Sequence, residues 1–241
     1  MQRILVFALA LLYSGCATLN PIIQDFNIVS IEEEKAIGLQ VQEQIQKEMS
    51  LSSDSVLNLR VQQLGERLES ALPQHPFNYQ FHVVNNKTPN AFTIPGGAIY
   101  VHTGLLNFVD DDYQLAGVLA HEIGHMYERH PAKSLSRAYG IEQLSNLIFR
   151  NNKNQFRTIA FQLAGGSVLT KYSREDELEA DFISFQLMRR AGMQTSGLKR
   201  FLIKLNQLQG QGPSIPFMST HPPTAERIHR LDMMERGAQA N

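Results

Sequence analysis

The segment His121-Glu122-Ile123-Gly124-His125 constrains this chain more than any other part of it. Histidines four apart on a helix lie about 40° apart around its axis, so both imidazoles leave one face. Two neutral imidazoles so placed grip one zinc ion, and the intervening glutamate reaches a water on it. Leu115, Leu119, Ile123 and Met126 form an apolar stripe on the far side of the same helix. Gly117 and Gly124 flank the histidine face, where a missing side chain lets another element come close. Each glycine would cost about 1 kcal/mol against alanine in a helix with no such neighbour.

A catalytic zinc takes three protein ligands and a water, so one more ligand must lie elsewhere. The run Ser173-Arg174-Glu175-Asp176-Glu177-Leu178-Glu179-Ala180-Asp181 offers five carboxylates, and helix phase chooses among them. With Glu177 at zero, Asp181 falls at about 40°, on the face that carries Ala180, Leu187 and Met188. Glu179 falls at about 200°, beside Gln186 and Arg190. A carboxylate on an apolar face is costly unless it is paired or binds metal. Glu177 is therefore the expected third ligand. Asp181 is expected behind it, accepting the free ring N–H of a zinc histidine. Glu179 is assigned to solvent, and Glu175 and Asp176 suit the positive end of a helix dipole.

The rest of the 241 residues sets the frame. A 43% hydrophobic share supports one packed core, and 22 Lys plus Arg against 23 Asp plus Glu leave no basic excess for nucleic acid. Cys16 is the single cysteine, which excludes an intramolecular disulfide. Ahead of it stand Arg3, an apolar run from Ile4 to Leu12, and Tyr13-Ser14-Gly15. Residues 1–15 therefore read as a leader that resembles a bacterial lipoprotein signal, with Cys16 as the acylated residue and 16–30 as a tether. Tyr13 departs from the leucine usual in that signal, and Ala17 rather than aspartate points to the outer membrane.

Residues 31–241 read as one domain. Helices are expected from Ile31 to Met49 and from Ser55 to Leu72. The second is capped by Ser53 or Asp54 and carries Val56, Leu59, Leu64 and Leu68. Tyr79, Phe81 and Val83 alternate as in a strand, Pro95-Gly96-Gly97 makes a turn, and Ala98 to His102 is a short strand. After Asp111 the pattern predicts about five helical segments. The architecture is α+β, mainly helical, with a small sheet beside the motif helix. His102 reads as a structural histidine. His130 lies about 140° from His125 on a regular helix, so it reads as a helix C-terminal histidine favoured by the dipole.

Taken together, these segments resemble the zinc metallopeptidase family that includes HtpX, BepA, LoiP and the CAAX prenyl protease. The resemblance rests on His121 to His125 and on Tyr172-Ser173-Arg174 with the Glu177/Asp181 pair. It rests also on Asn90-Ala91-Phe92, Pro95-Gly96-Gly97, Ile99-Tyr100-Val101 and Thr220-His221-Pro222. It implies a gluzincin fold and endopeptidase activity with one zinc ion per chain, in which Glu122 acts as general base. It further implies that His221 can fold back onto the zinc and that Arg227 lies near enough to stabilise an oxyanion. Ala98 to His102 is the expected edge on which substrate lies extended. The branch implied is the periplasmic one, a lipoprotein acting on unfolded or misassembled envelope proteins, in contact with outer-membrane assembly machinery. A zinc-stabilised scaffold with little proteolysis and a cell-wall amidase are the alternatives.

Overall fold

A computed structural model describes residues 27–139, 153–164, 171–208 and 215–239. Cys16, the leader and most of the tether lie outside these residues. Helix α1 (Ile31–Glu48) opens on a reciprocal cap: Ser30 Oγ accepts the Glu33 N–H, and the Glu33 carboxylate accepts the Ser30 N–H. Helix α2 (Ser55–Glu69) opens on Asp54, whose carboxylate accepts from Val56 and Leu57. Its buried side is the expected one only in part: Leu68 is buried and Leu64 packs against the core. Val56 and Leu59 are 72% and 57% exposed, while Val61, Gly65 and Leu68 face the core. Gly65 sets this phase: a Cβ there would stand 2.5 Å from the Phe81 ring, so the glycine line presses onto the sheet.

The sheet holds β1 (Gln80–Val84), β2 (Ala91–Thr93) and β3 (Ala98–His102) in the order β1-β3-β2. Strand β3 runs parallel to β1 and antiparallel to β2. The strand expected as the substrate edge is thus the central one. Both sides of its main chain are occupied, and no further chain can add to it. Strand β2 escapes a sequence reading because its three residues are all buried and show no alternation. Gly96 and Gly97, at φ 88° and 107°, supply the left-handed turn between β2 and β3.

Eight helical segments follow the sheet among the described residues. They are α3 (Thr103–Phe108), α4 (Asp112–Tyr127), α5 (residues 130–139), α6 (Lys153–Ala164), α7 (Arg174–Arg190), α8 (Gly197–Gln207), α9 (Pro216–Thr220) and α10 (Ala225–Gln239). Seven of them lie after Asp111, more than expected, because short α9 and a break after α4 divide the pattern further. Every residue of α4 from Gln114 to Met126 is buried. Its apolar stripe joins the larger core with Val61, Leu68 and Phe201. A second cluster lies on the other side of the sheet, where Ile37 and Val41 meet Phe92 and Tyr100.

The two glycines of α4 decide what covers its histidine face. A Cβ at Gly124 would stand 2.9 Å from the Ala180 carbonyl oxygen of α7. One at Gly117 would stand 2.4 Å from the Leu198 nitrogen of α8. Ser184 Oγ adds a hydrogen bond to the Gly117 carbonyl at 3.1 Å. Backbones this close are possible only without side chains between them. Among the described residues no helix is long and apolar enough to cross a membrane.

Candidate metal centre

Helix α4 is fixed at its start by Asp111, which accepts from the Tyr113 and Gln114 N–H groups. The same carboxylate takes a two-pronged contact from Arg200 at 2.8 and 3.0 Å. Helix α7 opens on Ser173, which forms a capping box with Asp176. The close approach at Gly124 and Ala180 then lays the first turns of α7 across the histidines.

Four side chains converge there. His121 Nε2 stands 3.0 Å from His125 Nε2 and 3.5 Å from Glu177 Oε2. His125 Nε2 stands 3.4 Å from Glu177 Oε1. His221 Nδ1 completes the group, 2.9 Å from Glu177 Oε1 and 3.3 Å from His121 Nε2. All four residues are buried, and one atom of each lies within 4.8 Å of the others. Two ligands about 2.0–2.1 Å from one ion at a tetrahedral angle stand about 3.3 Å apart. The observed separations fall on both sides of that value, so the set has the shape of a metal shell.

The charges agree with the shape. Glu122, Glu177 and Asp181 are buried carboxylates, and Arg227 is the buried guanidinium among them. When ionised, the three acids exceed the one base by two charges, which a divalent ion balances. Burial pushes Glu177 up, but Arg227, His221 and hydrogen bonds from His121 and His125 outweigh it and hold Glu177 well below the usual range. For Glu122 burial wins over the nearby His221 and His121, and its pKa is raised. One acid is thus poised to stay ionised and the other to take a proton. Neither Glu122 oxygen has a well-formed hydrogen bond among the described residues; His221 Nε2 lies 3.5 Å away. The main chain of Thr93, on β2, is turned toward the same carboxylate.

Behind the shell, Asp181 Oδ1 lies 3.0 Å from His121 Nδ1, off the ideal hydrogen-bond line. Arg227 holds Asp181 with two bonds, Nε to Oδ2 at 2.8 Å and Nη2 to Oδ1 at 2.7 Å. Its Nη1 reaches Glu177 Oε2 at 2.5 Å and the Pro222 carbonyl at 3.0 Å. Three of the five guanidinium N–H groups donate hydrogen bonds, and Nη1 adds an ion pair to Glu177. The oxyanion role expected for Arg227 finds little support in this arrangement, because the cation is spent on holding the two acids. Cysteine plays no part among these residues.

His130 needs the largest correction. It is no dipole-favoured terminus: it is fully buried, with Nδ1 2.8 Å from His125 Nδ1. The regular phase fails because α4 ends at Tyr127 and Arg129 takes φ 59°. Glu34 and the Val29 carbonyl hold the Arg129 side chain at 2.7 and 2.6 Å, which offsets a left-handed residue's cost of about 1–2 kcal/mol. Glu179 is half-exposed, as the helix phase suggests, yet its Oε2 meets His130 Nε2 at 3.2 Å. Tyr172 was legible only within the Tyr-Ser-Arg motif; its ring stacks on His125 at 3.8 Å, and its hydroxyl is buried without a partner among the described residues. His102 lies apart, with Nδ1 3.1 Å from the Thr88 carbonyl.

Comparison with known proteins places this geometry. Residues 55–235 match the family described as Peptidase family M48. The chain is 29% identical over 211 residues to the mitochondrial metalloendopeptidase OMA1 of Schizosaccharomyces pombe, covering 86% of this chain and 62% of that protein. It is 28% identical over 183 residues to the metalloprotease YcaL of Escherichia coli, covering 75% and 70%. It is 28% identical over 210 residues to the β-barrel assembly-enhancing protease of Escherichia coli, covering 83% and 43%. The chain thus spans less than two thirds of the first and third of these relatives.

Proposed function

The chain belongs to peptidase family M48, and from that membership and the geometry of the centre we propose that it is a zinc-dependent endopeptidase of the bacterial cell envelope. The observation that carries this is the close convergence of His121, His125, Glu177 and His221 on one point, with the buried carboxylate of Glu122 beside it. Imidazole and carboxylate donors in that geometry suit zinc. A zinc ion bound there supplies an activated water and polarises the scissile carbonyl.

The chain's own residues do the rest. His121, His125 and Glu177 are the permanent ligands. Glu122 takes the proton of the attacking water and passes it to the leaving amine, a role suited to a carboxylate raised by burial. His221 Nδ1 stands at the fourth corner, where that water must enter, so His221 moves aside when substrate binds. It sits at the end of α9, stacked on Phe217 at 4.6 Å and followed by Pro222. Substrate aligns along β2, not β3, once the buried site has opened to expose that strand. In the register of β2 with β3, Asn90, Phe92 and Ile94 spend their main-chain groups on β3, so Ala91 and Thr93 point theirs away from it.

The envelope assignment draws on the leader-like segment before Cys16 and on the name of the β-barrel assembly-enhancing relative. Unfolded or misassembled envelope proteins are the proposed substrates, outer-membrane assembly machinery the proposed partner, and an acylated Cys16 the proposed anchor to the outer membrane. Cys16→Ala released from the membrane fraction supports the anchor; unchanged fractionation removes it. The activity itself is tested by incubating zinc-loaded protein with unfolded casein. Cleavage that a chelator abolishes and added zinc restores supports the peptidase. Intact casein with zinc fully bound favours a scaffold or a cell-wall amidase.

A further inference from the structure

His125 differs from His121 in what stands behind it. His121 is backed by a carboxylate, Asp181. His125 is backed by a second imidazole, with 2.8 Å between the two Nδ1 atoms. Only one proton fits between those nitrogens, and its owner follows from the far side of His130. There Nε2 faces Glu179 Oε2 at 3.2 Å and Asp176 Oδ1 at 3.4 Å. Carboxylates accept from Nε2, so a neutral His130 carries its single proton there. His130 Nδ1 is then the acceptor, and the proton between the rings belongs to His125 Nδ1. That leaves the lone pair of His125 on Nε2, the atom 3.0 Å from His121 Nε2 at the metal position.

We propose that His130 is a positioning residue that fixes the metal-facing tautomer of His125, relaying the demand of Asp176 and Glu179 through an imidazole to the shell. The proposal rests on the metallopeptidase reading above. The supports for His130 are specific. Arg129, left-handed at φ 59°, breaks the helix and swings the next residue back under His125. Asp176 is itself held by Arg137 Nη2 at 3.0 Å and by the Ser173 N–H at 2.9 Å, so its carboxylate cannot turn away. The stacked Tyr172 ring keeps the His125 ring in the plane that the relay needs. Two histidines thus receive their tautomers by different routes, one directly and one through a relay that ends on the half-exposed Glu179.

Two amide substitutions separate this role from simple packing. The side-chain oxygen of Asn stands near the place of a histidine Nδ1, whereas that of Gln reaches the place of Nε2. His130→Asn therefore keeps an acceptor for the His125 proton, and His130→Gln does not. Zinc affinity is read by competition with a chromogenic chelator, and the apo proteins are compared by urea unfolding. The expected result is His130→Gln weakened by about 10- to 100-fold, with His130→Asn within about threefold of wild type. The Co(II) visible spectrum should change in the Gln variant and not in the Asn variant. Equal affinities in the two variants, or affinities that follow apo stability alone, overturn the relay while leaving the metal site intact. A wild-type protein that binds no zinc overturns the metal reading and the relay together.

Discussion

Arg227 grips both oxygens of Asp181, at 2.7 and 2.8 Å, and Asp181 in turn faces His121 Nδ1 at 3.0 Å. A cation on the last helix thereby orients a ligand on α4 through an acid on α7. Lysine keeps the charge but not the planar fork, so Arg227→Lys should lose the two-point hold. The expected outcome is about 10-fold weaker zinc binding by chelator competition, against about 10- to 100-fold for Asp181→Asn. Undiminished zinc affinity with lost cleavage in Arg227→Lys would return Arg227 to an oxyanion role.

Adjacent acids on α7 should separate cleanly. Glu177→Gln is expected to lose zinc, because the ligand goes and Arg227 is left without one partner. Glu179→Gln is expected to stay within about threefold of wild type, since Asp176 Oδ1 also faces His130 Nε2 at 3.4 Å. Zinc content after dialysis checks both, and the opposite ranking would mean that the wrong carboxylate has been placed in the shell.

Glu34 gives a pH dependence away from the centre. Burial outweighs its bond to Arg129 and raises its pKa from 4.5 to about 7. The folded state then holds this proton more tightly than the unfolded chain does, so stability falls as pH rises from 4.5 to about 7. The loss approaches about 3 kcal/mol at neutral pH. Urea midpoints of the metal-free protein at about pH 5 and about pH 8 should show that slope in wild type and less of it in Glu34→Gln. Parallel profiles would assign the slope to other groups.

The centre was more legible in the sequence than the ground around it. His121, His125, Glu177 and Asp181 lie on unbroken helices, where a constant 100° step relates sequence to direction. Gly117 and Gly124 announced the close approach of α7 and α8 for the same reason. His130 was misplaced because one left-handed residue, Arg129, ends the constant step, and no local residue preference marks an arginine for φ 59°. The central place of β3 was hidden because pairing partners come from distant segments and β2 is three residues long. On α2, Leu64 and Leu68 face the core as read, but the close fit of Gly65 on Phe81 centres the buried side there and leaves Val56 and Leu59 outside.

His221 is expected to restrain the resting protein. Removing it opens the fourth corner while the other three ligands remain, so His221→Ala should raise basal casein cleavage and self-cleavage by several-fold with zinc content unchanged. A drop in cleavage at full zinc occupancy would instead show that His221 assists the reaction. Unaltered cleavage would leave it a residue of the α9 end alone.

Glu122 carries the central chemistry: its buried carboxylate is no member of the shell and, unlike Asp181, is not held by a side-chain hydrogen bond among the described residues. Replacing it with glutamine changes one oxygen to nitrogen and leaves every ligand in place. Zinc content and casein cleavage should be measured together on Glu122→Gln, beside a chelator-treated blank. One zinc per chain with cleavage lowered by about 10²-fold or more is the expected result. Cleavage near the wild-type rate in that variant, above the metal-free blank, would contradict the assignment of Glu122 as the base.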